Sequence, residues 1–112
     1  MPNEIFVKDK FDLETVKVFG DFSKKIEVCA ISPGSGKSMI KPAIEKGADV
    51  IITGDIDHHE GIDSVAQGLA IIDAGHFGIE KILIPYMEEF IRREMPDLKV
   101  YTHELTSPFR VI

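Results

Sequence analysis

The sequence predicts an α/β domain, with a short, largely parallel or mixed sheet flanked by helices. Three observations point there. Val50-Ile51-Ile52 is an unbroken β-branched run, the pattern of a strand covered on both faces. Short apolar runs of this kind alternate with segments whose apolar residues recur every three or four positions. Three polar, glycine-bearing stretches at 32–36, 54–60 and 73–76 fall at the ends of strands, where the functional groups of open α/β sheets gather.

In chain order, residues 4–11 form a weak helical segment in which Ile5, Val7 and Phe11 can face a core. Residues 15–19 are β-prone, with Val16 and Val18 alternating with Lys17 before the Gly20-Asp21 turn. The apolar run 26–31 reads as a buried strand, with Cys29 as a small buried thiol. Ser32-Pro33-Gly34-Ser35-Gly36 reads as a loop. Met39, Ile40, Ala43 and Ile44 then fit a helix over 38–46 that stops at Gly47.

A second buried strand spans 49–53, followed by a helix over 62–67 and a short strand over 69–72. Residues 77–94 carry Ile79, Ile82, Leu83, Tyr86, Phe90 and Ile91 at helical spacing, and Pro85 should kink or divide that helix. The aromatic residues Tyr86 and Phe90 read as core. Residues 98–101 form a final strand candidate, and 108–112 a tail.

With 112 residues, 44% of them hydrophobic, the chain makes a single domain over 1–112 with one core and a radius of gyration of about 13 Å. Thirteen basic against nineteen acidic residues give a net charge of −6. The acid is concentrated: residues 45–80 hold eight carboxylates and a single lysine, together with His58, His59 and His76. Such a field attracts cations and repels a phosphate backbone, which argues against nucleic acid. One cysteine cannot form an intramolecular disulfide, and no run approaches the roughly 18 apolar residues of a membrane span. The first residues lack the basic and apolar regions of a secretion signal, so the expected compartment is the cytoplasm.

Three constellations could carry chemistry. Gly34-Ser35-Gly36-Lys37-Ser38 resembles the end of a phosphate-binding loop, but Ile31 stands where that motif needs its first glycine. What remains is a glycine turn whose amides could face one anion. His76 and Glu80 are four residues apart, so on a helix they share a face at about 6 Å between Cβ atoms, close enough to converge on one cation. Asp55-Ile56-Asp57-His58-His59-Glu60 ends the preceding strand with acid and imidazole, and His59, four residues before Asp63, suits a proton carrier near a metal. His58 reads as a surface residue, and His103 as structural or exposed.

The stretch 47–59, ending Thr53-Gly54-Asp55-Ile56-Asp57-His58-His59, taken with Asp73-Ala74-Gly75-His76-Phe77-Gly78-Ile79-Glu80, resembles the NIF3-like family, also labelled GTP cyclohydrolase 1 type 2 homologues. Residues 28–36 are similar to that family's glycine-rich strand-to-helix segment, and Ser107-Pro108-Phe109 to its closing segment. The resemblance implies a two-metal site between two similar α/β halves, with His76 and Glu80 as metal ligands. It places His59 in the same site, as a catalytic proton-transfer group, and Asp55 and Asp73 in supporting roles. The metals implied are divalent ions, with zinc, iron, manganese and magnesium not distinguished.

The family's earlier half carries a paired-histidine segment followed by proline, and His58-His59 is not that pair, because Glu60 follows. The chain is therefore expected to match the C-terminal portion only. Its metal site would be incomplete unless a partner chain supplies ligands. The resemblance also implies a homo-oligomer, commonly a hexamer. The function expected is a divalent-metal-binding, hydrolase-like site of possible GTP cyclohydrolase type. The alternative is a non-catalytic assembly or regulatory module.

Overall fold

The structure, a computed structural model, describes residues 3–112. Its elements run α1 (Asn3–Lys10), β1 (Lys17–Phe19), β2 (Cys29–Ser35), a 3-10 turn (Lys37–Met39), α2 (Ile40–Glu45), β3 (Val50–Gly54), α3 (His58–Ala66), β4 (Ala70–Asp73), α4 (His76–Glu80) and α5 (Leu83–Glu94). The sheet order is β1-β4-β3-β2. β2, β3 and β4 run parallel, and the short β1 is antiparallel to β4. This is the α/β fold with a mixed sheet that the alternation of runs predicts.

β3 and β4 are the inner strands, and every residue of both is buried. Their side chains alternate between two cores, as the period of a strand requires. Val50, Ile52, Ala70 and Ile72 meet Val7 of α1 and Ile79 of α4 on one face. Ile51 and Ile71 meet Ala43 of α2, Ile56 and Leu69 on the other. Cover on both faces is why these strands are continuous apolar runs.

Several expectations fail for one reason, position in the sheet. β2 is an edge strand, so the run 26–31 is not buried on both sides: Val28 is 47% and Ile31 64% exposed, and Cys29 is exposed. Its thiol pKa is still raised, by partial desolvation. Residues 32–35, read as loop, continue β2. Pro33 is tolerated because the pairing with β3 shifts register between Ile31 and Ser35, where no ladder bond needs its missing N–H.

Downstream, α3 starts at His58 and not at residue 62, because Asp57 caps it by accepting from Glu60 N–H at 2.8 Å. The helix at 77–94 is divided as Pro85 demands. Pro85 lies in the first turn of α5, where its lack of an N–H costs no helical bond, and the break falls at Lys81-Ile82. Residues 98–101 form no strand; Arg92 donates to the Val100 carbonyl at 3.2 Å and holds them beside α5. α5 contains no buried residue, and Tyr86 and Phe90 are exposed rather than core. Together with the exposed residues 101–112 it leaves the radius of gyration at 15.9 Å, above the value for a compact chain of this length.

Two carboxylates fasten loops to this frame. Asp49 accepts from Val28 N–H at 2.8 Å and Glu27 N–H at 2.9 Å, tying the entry of β2 to that of β3. The Val28 and Glu27 hydrogen bonds lower the Asp49 pKa, and the Glu60 N–H lowers that of Asp57. A depressed folded pKa stabilises above the unfolded value of about 3.9 and is lost as pH falls through the folded one. The urea midpoint should therefore drop below about pH 4. An Asp49→Asn variant should be less stable at neutral pH and show a shallower drop in that acid window; parallel curves would contradict the assignment.

Candidate metal centre

Three loops meet above the C-terminal ends of β2, β3 and β4. Gly75, at φ +77°, turns the chain out of β4 and starts α4 with His76. One helical turn on, Glu80 comes back over the same face: His76 Nε2 lies 3.1 Å from Glu80 Oε2. The expected convergence of imidazole and carboxylate is present, and no hydrocarbon separates them.

Asp55 joins from the other side. Its carboxylate Oδ2 lies 3.1 Å from His76 Nδ1, so both ring nitrogens face carboxylates. Asp55 follows β3 in the left-handed region, at φ +56°, which few non-glycine residues adopt. Asp73 does not face His76. It is buried at the end of β4, and its oxygens accept the N–H groups of Asp55, Ile56 and Gly75 at 3.1, 3.0 and 2.9 Å.

Glycines make room for the pair. A Cβ on Gly34 would stand 3.0 Å from Glu80 Oε1 and 3.5 Å from His76 Nε2. A Cβ on Gly54 would meet the backbone of Gly75, Gly34 and His76 within 2.7 Å. Beside the pair opens a cleft of about 590 Å³. Asp55, His76 and Glu80 line one side of it, and Phe77, Leu83 and Phe109 form an apolar wall.

His76 and Glu80 are metal-ligating types set toward one space that glycine keeps clear, so they fit two positions of a divalent ion's shell. Among the described residues, no three such groups surround a single point. The rest of a shell would come from water or from another source.

His59 is not among the residues of the cleft. It is exposed on the first turn of α3, its ring edge-on to His58 at 5.4 Å between centroids. Two groups of the glycine turn at 34–38 are already engaged. Gly36 N–H is spent on the Gly54 carbonyl at 3.1 Å, and the Lys37 ammonium pairs with Glu60 at 3.0 Å. The Glu60 carboxylate raises the Lys37 pKa through that contact.

The family profile of Duf34/NIF3 (NGG1p interacting factor 3) matches residues 5–108. The chain belongs to this family. A curated relative from Halalkalibacterium halodurans, described as a GTP cyclohydrolase 1 type 2 homolog, is 37% identical over 101 residues, covering 90% of this chain and 27% of the relative. Another with the same description, from Clostridium acetobutylicum, is 35% identical over 101 residues, covering 90% and 38%. Among solved structures, a hypothetical protein from Staphylococcus aureus superimposes with a TM-score of 0.79 at 31% identity, over 100% of this chain and 40% of its own. A Bacillus cereus protein related to NIF3 gives 0.77 at 28%, over 100% and 33%. This chain thus spans well under half the length of these relatives.

In this Duf34/NIF3 chain, the glycine floor and the wall of the cleft escaped the reading of the sequence. Gly34 touches Glu80 only because β2 packs beside α4, a tertiary fact with no local signal. Leu83 and Phe109 flank the site from segments that sequence reading treats as core helix and tail. Among the described residues, no helix is long and apolar enough to cross a membrane.

Proposed function

We propose that this chain is the C-terminal portion of a Duf34/NIF3 protein and carries part of a divalent-metal, hydrolase-like centre, with His76 and Glu80 as metal ligands. The observation behind it is the 3.1 Å approach of His76 Nε2 to Glu80 Oε2 over a floor that glycine keeps open. A bound divalent ion would supply a Lewis acid and an activated water. The chain's own groups do the rest. Asp55 holds the His76 ring by its other nitrogen, as carboxylates commonly do for ligating histidines. Phe77, Leu83 and Phe109 keep one side of the cleft apolar and seat the body of a substrate. His59, exposed at the start of α3 and outside the cleft lining, is the proton-transfer group only if it turns toward the site when metal and substrate bind.

The description carried by the curated relatives makes GTP ring opening the first reaction to assay. The remaining ligands come from water or from a partner chain that carries the family's earlier half, and the protein works as a homo-oligomer in the cytoplasm. A second reading, a non-catalytic assembly module, rests on α5, where Leu83 and Tyr86 are 58% and 67% exposed. Titration with Mn²⁺ separates the two. The chain should show a saturable site that His76→Ala abolishes and Glu80→Gln weakens at least about tenfold. Equal uptake by all three proteins would remove these residues from the ligand role and leave the assembly reading.

A further inference from the structure

Asp73 is only 6% exposed, and a carboxylate so placed is costly unless it is well partnered. Its partners share one target. Oδ1 accepts from the N–H groups of Asp55 at 3.1 Å and Gly75 at 2.9 Å. Oδ2 accepts from Ile56 N–H at 3.0 Å and pairs with Lys17 Nζ at 3.1 Å. The Lys17 ammonium, arriving from β1, also donates to the Ile56 carbonyl at 2.6 Å. Both sides of the Asp55-Ile56 peptide segment are therefore gripped, and Asp55 is the residue held at φ +56°. Non-glycine residues keep such a conformation only where their surroundings over-determine it.

We propose that Asp73 and Lys17 form a clamp that fixes Asp55 in its left-handed conformation and thereby presents the Asp55 carboxylate to His76 Nδ1. Asp73 is a positioning residue: no hydrogen bond or ion pair joins it to the His76 or Glu80 side chain among the described residues. The same carboxylate holds Gly75, the cap of α4, so one group registers the two loops that deliver Asp55 and His76. A simple staple of the Gly54–Ile56 turn would stabilise the fold without acting through the Asp55 side chain. The clamp acts through it, and that difference is measurable.

The test compares the full chain with Asp73→Asn, Asp55→Asn and the double variant, by crystal structure without metal and by Mn²⁺ titration. In Asp73→Asn, Asp55 should leave the left-handed region and its carboxylate should lose contact with Nδ1. Mn²⁺ affinity should fall roughly tenfold to a hundredfold. Asp55→Asn should cost about as much alone, and Asp73→Asn should add little on top of it, because coupled residues are not additive. An Asp73→Asn structure with Asp55 still on His76, or fully additive losses, would overturn the clamp. Should Asp73→Asn fail to fold, Lys17→Met takes its place in the same comparison, since that side chain is 55% exposed. The affinity arm rests on the metal reading above and the structural arm does not. A parent chain that takes up no Mn²⁺ defeats that reading, and the position of Asp55 alone then decides the clamp.

Discussion

Gly54→Ala should be the most damaging conservative change near the site, costing about 3 kcal/mol or more and lowering the melting temperature by roughly 10–20 °C. Gly54 is the last residue of β3 and pairs with Ser35 of β2. Its φ is not in the left-handed region, so the cost is one of space alone. A Cβ there would stand 2.6 Å from the Gly75 carbonyl carbon and 2.7 Å from both the Gly34 oxygen and the His76 nitrogen. All three are backbone atoms, two from the Gly75–His76 peptide after β4 and one from Gly34 at the end of β2, and none can swing aside as a side-chain tip could. The variant must either push the loops apart or unfold, and in both cases the His76–Glu80 pair separates. Thermal unfolding with an NMR spectrum of the His76 ring reads both effects. An unchanged melting temperature with an unmoved His76 signal would mean that the three loops do not meet as described.

Ile71→Ala should destabilise by about 3–4 kcal/mol, within the range for deleting a large buried aliphatic. Ile71 has no exposed surface and lies in the inner strand β4, in a core with Ile51, Ile56, Leu69 and Ala43. Neighbouring β strands pair on both sides, opposite Ile51 of β3 and Phe19 of β1, so the sheet cannot collapse readily into the space. Against a total stability of about 5–15 kcal/mol for a domain, that is a large fraction. Val18→Ala, at a position 43% exposed, should cost under about 1 kcal/mol. Urea unfolding of the two variants side by side checks the contrast. Equal losses would contradict the division into inner and edge strands.

How much could be read beforehand depended on whether a signal was local. Val50-Ile51-Ile52 announced an inner strand because both of its faces are covered, and the structure agrees. The same reasoning misplaced residues 26–31, since an apolar run does not say whether a strand lies inside the sheet or at its edge; strand order decides that. Pro33 and Gly34 argued for loop, and an irregular edge strand tolerates them. The start of α3 is also legible: Asp57 reads as a turn residue or cap, and Glu60 three residues on completes a capping pattern that sets the helix start at His58 and not at residue 62. Pro85 was legible because its missing N–H acts locally.

At the site, the four-residue spacing of His76 and Glu80 carried the convergence, because a helix turn imposes it. The part of Asp55 was harder to see. Its carboxylate reaches His76 through a left-handed turn held by Asp73 and Lys17, residues 18 and 38 positions away along the chain. The space that Gly34 leaves beside Glu80 depends on packing between β2 and α4 and has no signature in sequence at all.

The most direct measurement is anomalous diffraction from crystals of this chain soaked with Mn²⁺ or Zn²⁺. A peak is expected within bonding distance of both His76 Nε2 and Glu80 Oε2, about 2.0–2.2 Å for zinc, with the Asp55 carboxylate still on His76 Nδ1. A peak at other residues, or a site between His76 and Glu80 that stays free of metal while the ion binds elsewhere on the molecule, would contradict their role as ligands.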